Sequence, residues 1–205
     1  MKTRFFLSIL ILSTLSRGLL AQTDAETEIE KFRKDLNEEY SNPQTSPLPK
    51  KDIKKFKGHP FFPIDLKYRV KAILMLTPST SFFKMQTSTS QPRDYRIYGN
   101  AAFSIDGINY QLALFQSKDL MQTEKYKDYL FLPFTDLTNG DLTYSAGRYI
   151  GLTIPKEGDE IVIDFNQAYN PYCAYSNKYS CPIVPRENGL NVAIFAGVKY
   201  NKKKK

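Results

Sequence analysis

The sequence predicts a mainly β domain, an antiparallel barrel or sandwich of about nine strands preceded by an N-terminal amphipathic helix. Three observations carry this. After Lys67, apolar residues recur with a period of two or in short runs rich in β-branched and aromatic side chains. Turn residues such as Asp106-Gly107 and Asn139-Gly140 close the runs. No helical stretch long enough for a crossover separates successive runs, which favours antiparallel neighbours over a parallel α/β sheet.

The first element is not part of that fold. Basic Lys2 and Arg4, an apolar run from Phe5 to Leu15 and the small residue Ala21 before Gln22 have the three-part form of a secretory signal peptide over residues 1–21. Ser16, Arg17 and Gly18 end the apolar run well short of the roughly 20 residues that cross a bilayer, so no membrane span is expected in the mature form. The expected protein is exported, to the periplasm or the exterior. Its 184 mature residues, from a chain of 205, suit a single domain.

Asp24 to Tyr40 reads as a helix, with Asp24 as a cap and Ile29, Phe32, Leu36 and Tyr40 along one face. Asn42 to Pro49 contains three prolines and forms an extended connector, completing a segment 22–50 ahead of the β domain at 51–198. A short helix is expected at Lys51 to Phe56, then an anchor at Phe61-Phe62 between Pro60 and Pro63. The strands follow at Lys67–Thr77, Phe82–Thr87, Tyr95–Gly99, Ala101–Ile105, Ile108–Gln116, Tyr129–Phe134, Tyr149–Ile154, Glu160–Phe165 and Val192–Ala196. Asp106-Gly107 gives the clearest hairpin, because both residues tolerate positive φ and apolar side chains alternate on either side. No internal repeat is present.

The formal net charge is +8. Removing Lys2, Arg4 and Arg17 with the signal leaves +5, and Lys199 with Lys202 to Lys205 in the tail 199–205 accounts for all of that. The domain itself is close to neutral, so its basic isoelectric point does not indicate a nucleic-acid partner.

Two stretches concentrate the special residues. In the first, Gly147 lets backbone approach closely before Arg148, whose guanidinium can receive a carboxylate or phosphate or else pair internally with Asp136 or Asp164. In the second, a long loop after Asp164 carries Asn166, Asn170, Asn177 and Asn188 beside Tyr169, Tyr172, Tyr175 and Tyr179. Cys173 and Cys181 lie in this loop. In an oxidising compartment such a pair reads first as a disulfide, with a metal site and a free nucleophilic thiol as the competing readings. The one histidine, His59, stands far away beside Pro60 and gives little support to a Cys/His or Ser/His/Asp catalyst. Asp136, Asp141, Asp164 and Glu187 allow a two-carboxylate hydrolase, with Asp164 and Glu187 as weak acid–base candidates. No metal or cofactor is expected.

At these stretches the chain resembles a bacterial family known only as a domain of unknown function, number 1684. The likeness rests on Leu132-Pro133-Phe134, Asp136, Thr138, Gly140, Thr143-Tyr144, Gly147-Arg148-Tyr149, Asp164-Phe165-Asn166, Ala168-Tyr169-Asn170-Pro171, Cys173-Ala174-Tyr175, Tyr179, Cys181-Pro182, Pro185 and Glu187-Asn188. It departs from the family where two prolines usually precede Glu-Asn and this chain has Val184-Pro185-Arg186. It departs again at Val198, where a glutamate is usual. The resemblance brings no activity, substrate or cofactor. It implies that Tyr144, Arg148, Asp164, Asn166, Asn170 and Glu187 form one polar set.

The expected function is therefore binding of a small anionic or sugar-like envelope ligand in a polar pocket, with Asp136, Tyr144, Arg148, Asn166, Tyr169, Asn170 and Asn188 as candidate ligand-binding residues. A hydrolase acting on envelope material and a purely structural polar network are the alternatives. Sequence does not decide whether the protein is an enzyme, nor its oligomeric state.

Overall fold

The computed structural model describes residues 24–78 and 81–200. The expected signal at residues 1–21 and Lys202 to Lys205 of the tail lie outside them. Helix α1 (residues 24–41) buries Ala25, Ile29, Leu36 and Tyr40, while Lys31–Asp35 and Lys34–Glu38 pair one turn apart on its outer side. Leu48 pins the connector, and α2 (Lys50–Ile53) is a single turn. The Phe61-Phe62 anchor bridges to the end of the chain, with Phe61 opposite Val198 and the Phe62 amide donating to Gly197 O at 3.0 Å.

Seven strands then build one antiparallel sheet: β1 (Arg69–Leu76), β2 (Phe83–Met85), β3 (Arg93–Ile105), β4 (Ile108–Ser117), β5 (Tyr129–Phe134), β6 (Arg148–Thr153) and β7 (Glu160–Asp164). One helical turn, α3 (Lys118–Met121), follows β4. The order across the sheet is β6-β5-β4-β3-β1-β7, with β2 beside β3. The sheet curls into a half-barrel. Asp106 (φ 50°) and Gly107 (φ 79°) form the tight turn between β3 and β4, as their sequence dictates.

Three of the nine expected strands do not stand alone, which leaves seven. Tyr95–Gly99 and Ala101–Ile105 are one strand, because Gly99 marks a register shift and not a break. A Cβ there would come within 2.6 Å of Met75 O on β1, so the glycine permits a close crossing inside a continuous strand. Val192–Ala196 buries Ile194 and Ala196 but is unladdered, since Arg148 captures the carbonyls of those two residues. The result is neither a closed barrel nor a two-sheet sandwich.

The main core fills the inside of the curl, where Val70, Ala72, Leu74, Phe103, Leu112, Leu114, Leu132, Phe134 and Ile163 meet. The alternate side chains of β3–β6, including Tyr95, Phe115, Phe131 and Tyr149, form a second cluster on the outer face. The long loop from Tyr169 to Val184 covers it, and α1 packs beside that loop through Tyr40. Both faces of the central strands are thus apolar, which explains the unbroken hydrophobic run of β5.

Candidate functional site

Arg148 is the most completely enclosed large side chain of the expected polar set. It opens β6, and Gly147 before it adopts φ 95° where a Cβ would meet Phe134 O and Val184 Cγ2, each at 2.6 Å. Its Nη2 donates to Asp136 Oδ2 at 2.7 Å and to Ile194 O at 3.1 Å, its Nη1 donates to Ala196 O, and Phe134 lies under the guanidinium at 5.2 Å. Asp136 is equally closed: its Oδ1 accepts from Thr138 N, Thr138 Oγ1 and Ile194 N at 2.8, 2.6 and 3.3 Å. Burial lowers the Arg148 pKa and the Asp136 carboxylate opposes it. No anion can approach this guanidinium without displacing its internal partners.

The remaining polar residues do not join it. Asp164 divides its oxygens, Oδ2 accepting from Arg69 Nη1 at 2.9 Å and Oδ1 from Asn166 N and Nδ2. Asn166 also brackets Asp65, accepting its amide and donating to its carbonyl, both at 3.0 Å. Asn188 is a splint between β4 and β5. It accepts from Ala113 N (2.8 Å) and donates to Ala113 O (2.9 Å) and Pro133 O (2.7 Å), where proline has no amide to offer the ladder. Asn170 donates to the Tyr175 hydroxyl and to Lys199 O, and its Oδ1 has no protein partner. Glu187 is exposed on the turn Arg186–Asn188. The expected single polar set is therefore several separate fastenings, and no described contact links Asp164 with Glu187 across a shared cleft.

Cys173 and Cys181 are free thiols, not the expected disulfide. The Cys173 amide donates to Cys181 Sγ at 3.2 Å, and the loop is held by polar bonds to the segment after β2 instead. Ser88 N donates to Cys181 O at 2.8 Å, Cys181 N to Ser88 Oγ at 3.1 Å, and the Thr89 and Ser180 hydroxyls meet at 2.7 Å. Sequence spacing and the expectation of export argue for an oxidised pair, but neither fixes how the sulfurs face. Hydrogen bonding from the Cys181 thiol, with Ser88 and the Tyr144 hydroxyl, pulls Cys173 down to about 6, while Cys181 is pushed up. Tyr144 is half-buried against Tyr200 and rises to about 12 through burial.

His59 is a packing residue. Tyr40, Phe56, Phe61 and Tyr175 surround it edge-on, Nδ1 lies 3.3 Å from the Tyr175 hydroxyl, and Nε2 has no partner. Burial lowers it to about 4. Among the described residues, no group of three or more His, Cys, Asp or Glu is placed to hold a metal, and no helix is long and apolar enough to cross a membrane.

An open cavity lies elsewhere, on the outer face of the sheet. Its volume is about 360 Å³. The strands supply Tyr95, Tyr129, Phe131 and Tyr149 as the floor, and Gly151 opposite Phe131 leaves room for the Tyr129 ring, which a Cβ would touch at 2.8 Å. The loop contributes Tyr169, Pro171, Tyr172, Cys181 and Pro182, and α1 closes one side with Phe32, Leu36 and Glu39. The Tyr172 hydroxyl donates to Glu39 Oε1, tying helix to loop. Of the expected site residues, the cavity includes Tyr169 and Cys181. The rest of its wall escaped sequence analysis, although one signal existed: β5 carries Tyr129 and Phe131 on the face where a solvent-facing strand would be polar.

A family model described as protein of unknown function (DUF1684) matches residues 54–199. Among solved structures, the chain is similar to the solution NMR structure of an uncharacterized protein from Haloarcula marismortui. The two are 32% identical, with 89% of this chain and 98% of that one covered and a TM-score of 0.70. No curated protein matches the chain. Most of the cavity wall falls within the matched residues, whereas α1 precedes them.

Proposed function

Since the chain belongs to the family described as protein of unknown function DUF1684, which brings no activity with it, we propose a function from the geometry: a small-molecule binding domain whose site is the tyrosine-lined cavity. The single observation that supports it is a half-enclosed space of about 360 Å³ walled by seven aromatic side chains. That size and lining suit a ligand with a flat or apolar body.

Arg148 no longer supports an anionic ligand, because its side chain is fully enclosed and both of its terminal nitrogens are engaged inside the protein. A sugar-like ligand keeps some support, since pyranose faces stack on tyrosine. The signal-like composition of residues 1–21 supports the further reading that the domain works outside the cytoplasm.

The test is a thermal-shift and calorimetric screen of the purified protein against ring-bearing ligands, sugars and carboxylates, repeated on Leu36→Trp. Leu36 is a buried cavity-lining position on α1, and the larger ring fills the space from the helix side. Binding that Leu36→Trp abolishes while the fold persists is the expected result. Ligands that bind equally well to the filled variant, or a screen in which nothing binds, would sink the proposal.

A further inference from the structure

From the reading that the cavity is a ligand site, on which this inference rests, we infer that its ligand carries a bulky organic cation of the substituted-ammonium class. Three features of the wall point there. The first is the arrangement of the rings. Phe131 and Tyr149 meet at 77° with centroids 4.7 Å apart, and Tyr149 and Tyr169 at 90° and 6.0 Å, so neighbouring rings form adjoining walls. The π face of each ring is electron-rich, and several faces around one space attract a cation within about 6 Å of a centroid.

The second feature is where the phenol groups go. Tyr149 donates its hydroxyl proton to Pro182 O and Tyr172 donates to Glu39, while Tyr129 has Tyr169 as a polar neighbour and Tyr95 has Ser117. These tyrosines keep their protons, because burial raises the pKa of each. The cavity thus presents ring surface and few free donors or acceptors. A sugar, which needs directed bonds to its hydroxyls, finds fewer partners than a cation, which needs only faces.

The third feature is charge. Glu39 is the one ionisable carboxylate in the wall, and none of the lining residues is Lys, Arg or His. The Tyr172 hydroxyl fixes one of its oxygens, which holds the carboxylate at the side of the cavity that α1 closes. An anion entering here would meet a carboxylate and electron-rich rings with no countercharge. A cation meets both as attractions, and because it is partly removed from water the attraction is less screened than in bulk solvent.

The experiment compares choline with 3,3-dimethylbutan-1-ol, its uncharged counterpart with carbon in place of nitrogen, using benzyl alcohol as an apolar ring probe. All three are titrated calorimetrically into the full-length protein and into Glu39→Gln, whose fold is checked by its melting temperature. Choline should bind at least about tenfold tighter than the alcohol, and Glu39→Gln should remove most of that preference while leaving benzyl alcohol unaffected. Equal binding of choline and its neutral counterpart, with benzyl alcohol still bound, overturns the cationic ligand and leaves the cavity as a ligand site. Failure of all three probes to bind overturns both readings together.

Discussion

Replacing Arg148 by Met should unfold the protein at markedly lower denaturant without touching ligand recognition. Arg148 and Asp136 both have fully buried side chains, 2.7 Å apart. Methionine fills much of the space but leaves Asp136 a buried carboxylate without its cation, and leaves the carbonyls of Ile194 and Ala196 without a donor. Removing one partner of such a pair costs about 3–5 kcal/mol. Asp136 retains Thr138 and the Ile194 amide, which places the loss toward the lower end of that range. In a domain whose whole stability is about 5–15 kcal/mol, this is a large fraction, and it corresponds to a fall of roughly 10 °C in melting temperature. Equilibrium urea unfolding of the wild type, Arg148→Met and the double variant Arg148→Met/Asp136→Asn measures it. The double variant should recover part of the loss, because no charge remains to be buried. A loss below about 1 kcal/mol, or unchanged stability accompanied by lost ligand binding, would refute the reasoning and return Arg148 to the role of a ligand-binding residue.

Other consequences are equally direct. Asn188→Ala should cost about 2–4 kcal/mol by leaving the Ala113 amide and two strand carbonyls unpaired in the interior, read by the same unfolding curves. His59 is held near a pKa of about 4 against an ordinary 6.5, so the unfolded chain takes up the proton first. Stability should be insensitive to this group above pH 6.5 and fall by about 3 kcal/mol as pH drops from 6.5 to 4, and the step should flatten in His59→Phe. Iodoacetamide should modify Cys173 in preference to Cys181, with a rate that rises through a midpoint near pH 6, as peptide mass mapping against pH would show. The protein recovered from an exporting cell should begin near Gln22, and an intact mass that retains residues 1–21 would remove the signal-peptide reading.

Much of the fold is written locally, and the sequence alone determines those parts. Period-two or short β-rich runs place β1, β4, β5, β6 and β7 within a residue or two of their observed bounds, and Asp106-Gly107 fixes the β3–β4 turn because few residues tolerate its backbone angles. The face of α1 follows from apolar spacing in the same way. What failed was long-range. Gly99 reads as a strand break when only its own neighbours are considered, and the proximity of Met75 O on another strand shows it to be a crossing. Val192–Ala196 has the composition of a strand, yet a distant arginine takes its carbonyls.

The polar residues show the same division. Sequence identifies Asp136, Arg148, Asp164, Asn166 and Asn188 as special, and all are buried and bonded within the protein, Arg148 through its two terminal nitrogens while its Nε has no partner. It cannot say whether those bonds go to a ligand or to the protein, because donors and acceptors are satisfied in three dimensions by backbone groups 46 to 101 residues away. Only the tertiary structure decided that these residues are fastenings, that the two thiols stand side by side unbonded, and that an open cavity forms where the outer face of the sheet, the tyrosine loop and α1 converge. Composition and period are properties of one segment, whereas a cavity is what remains between segments, and its walls are set by how separate elements pack.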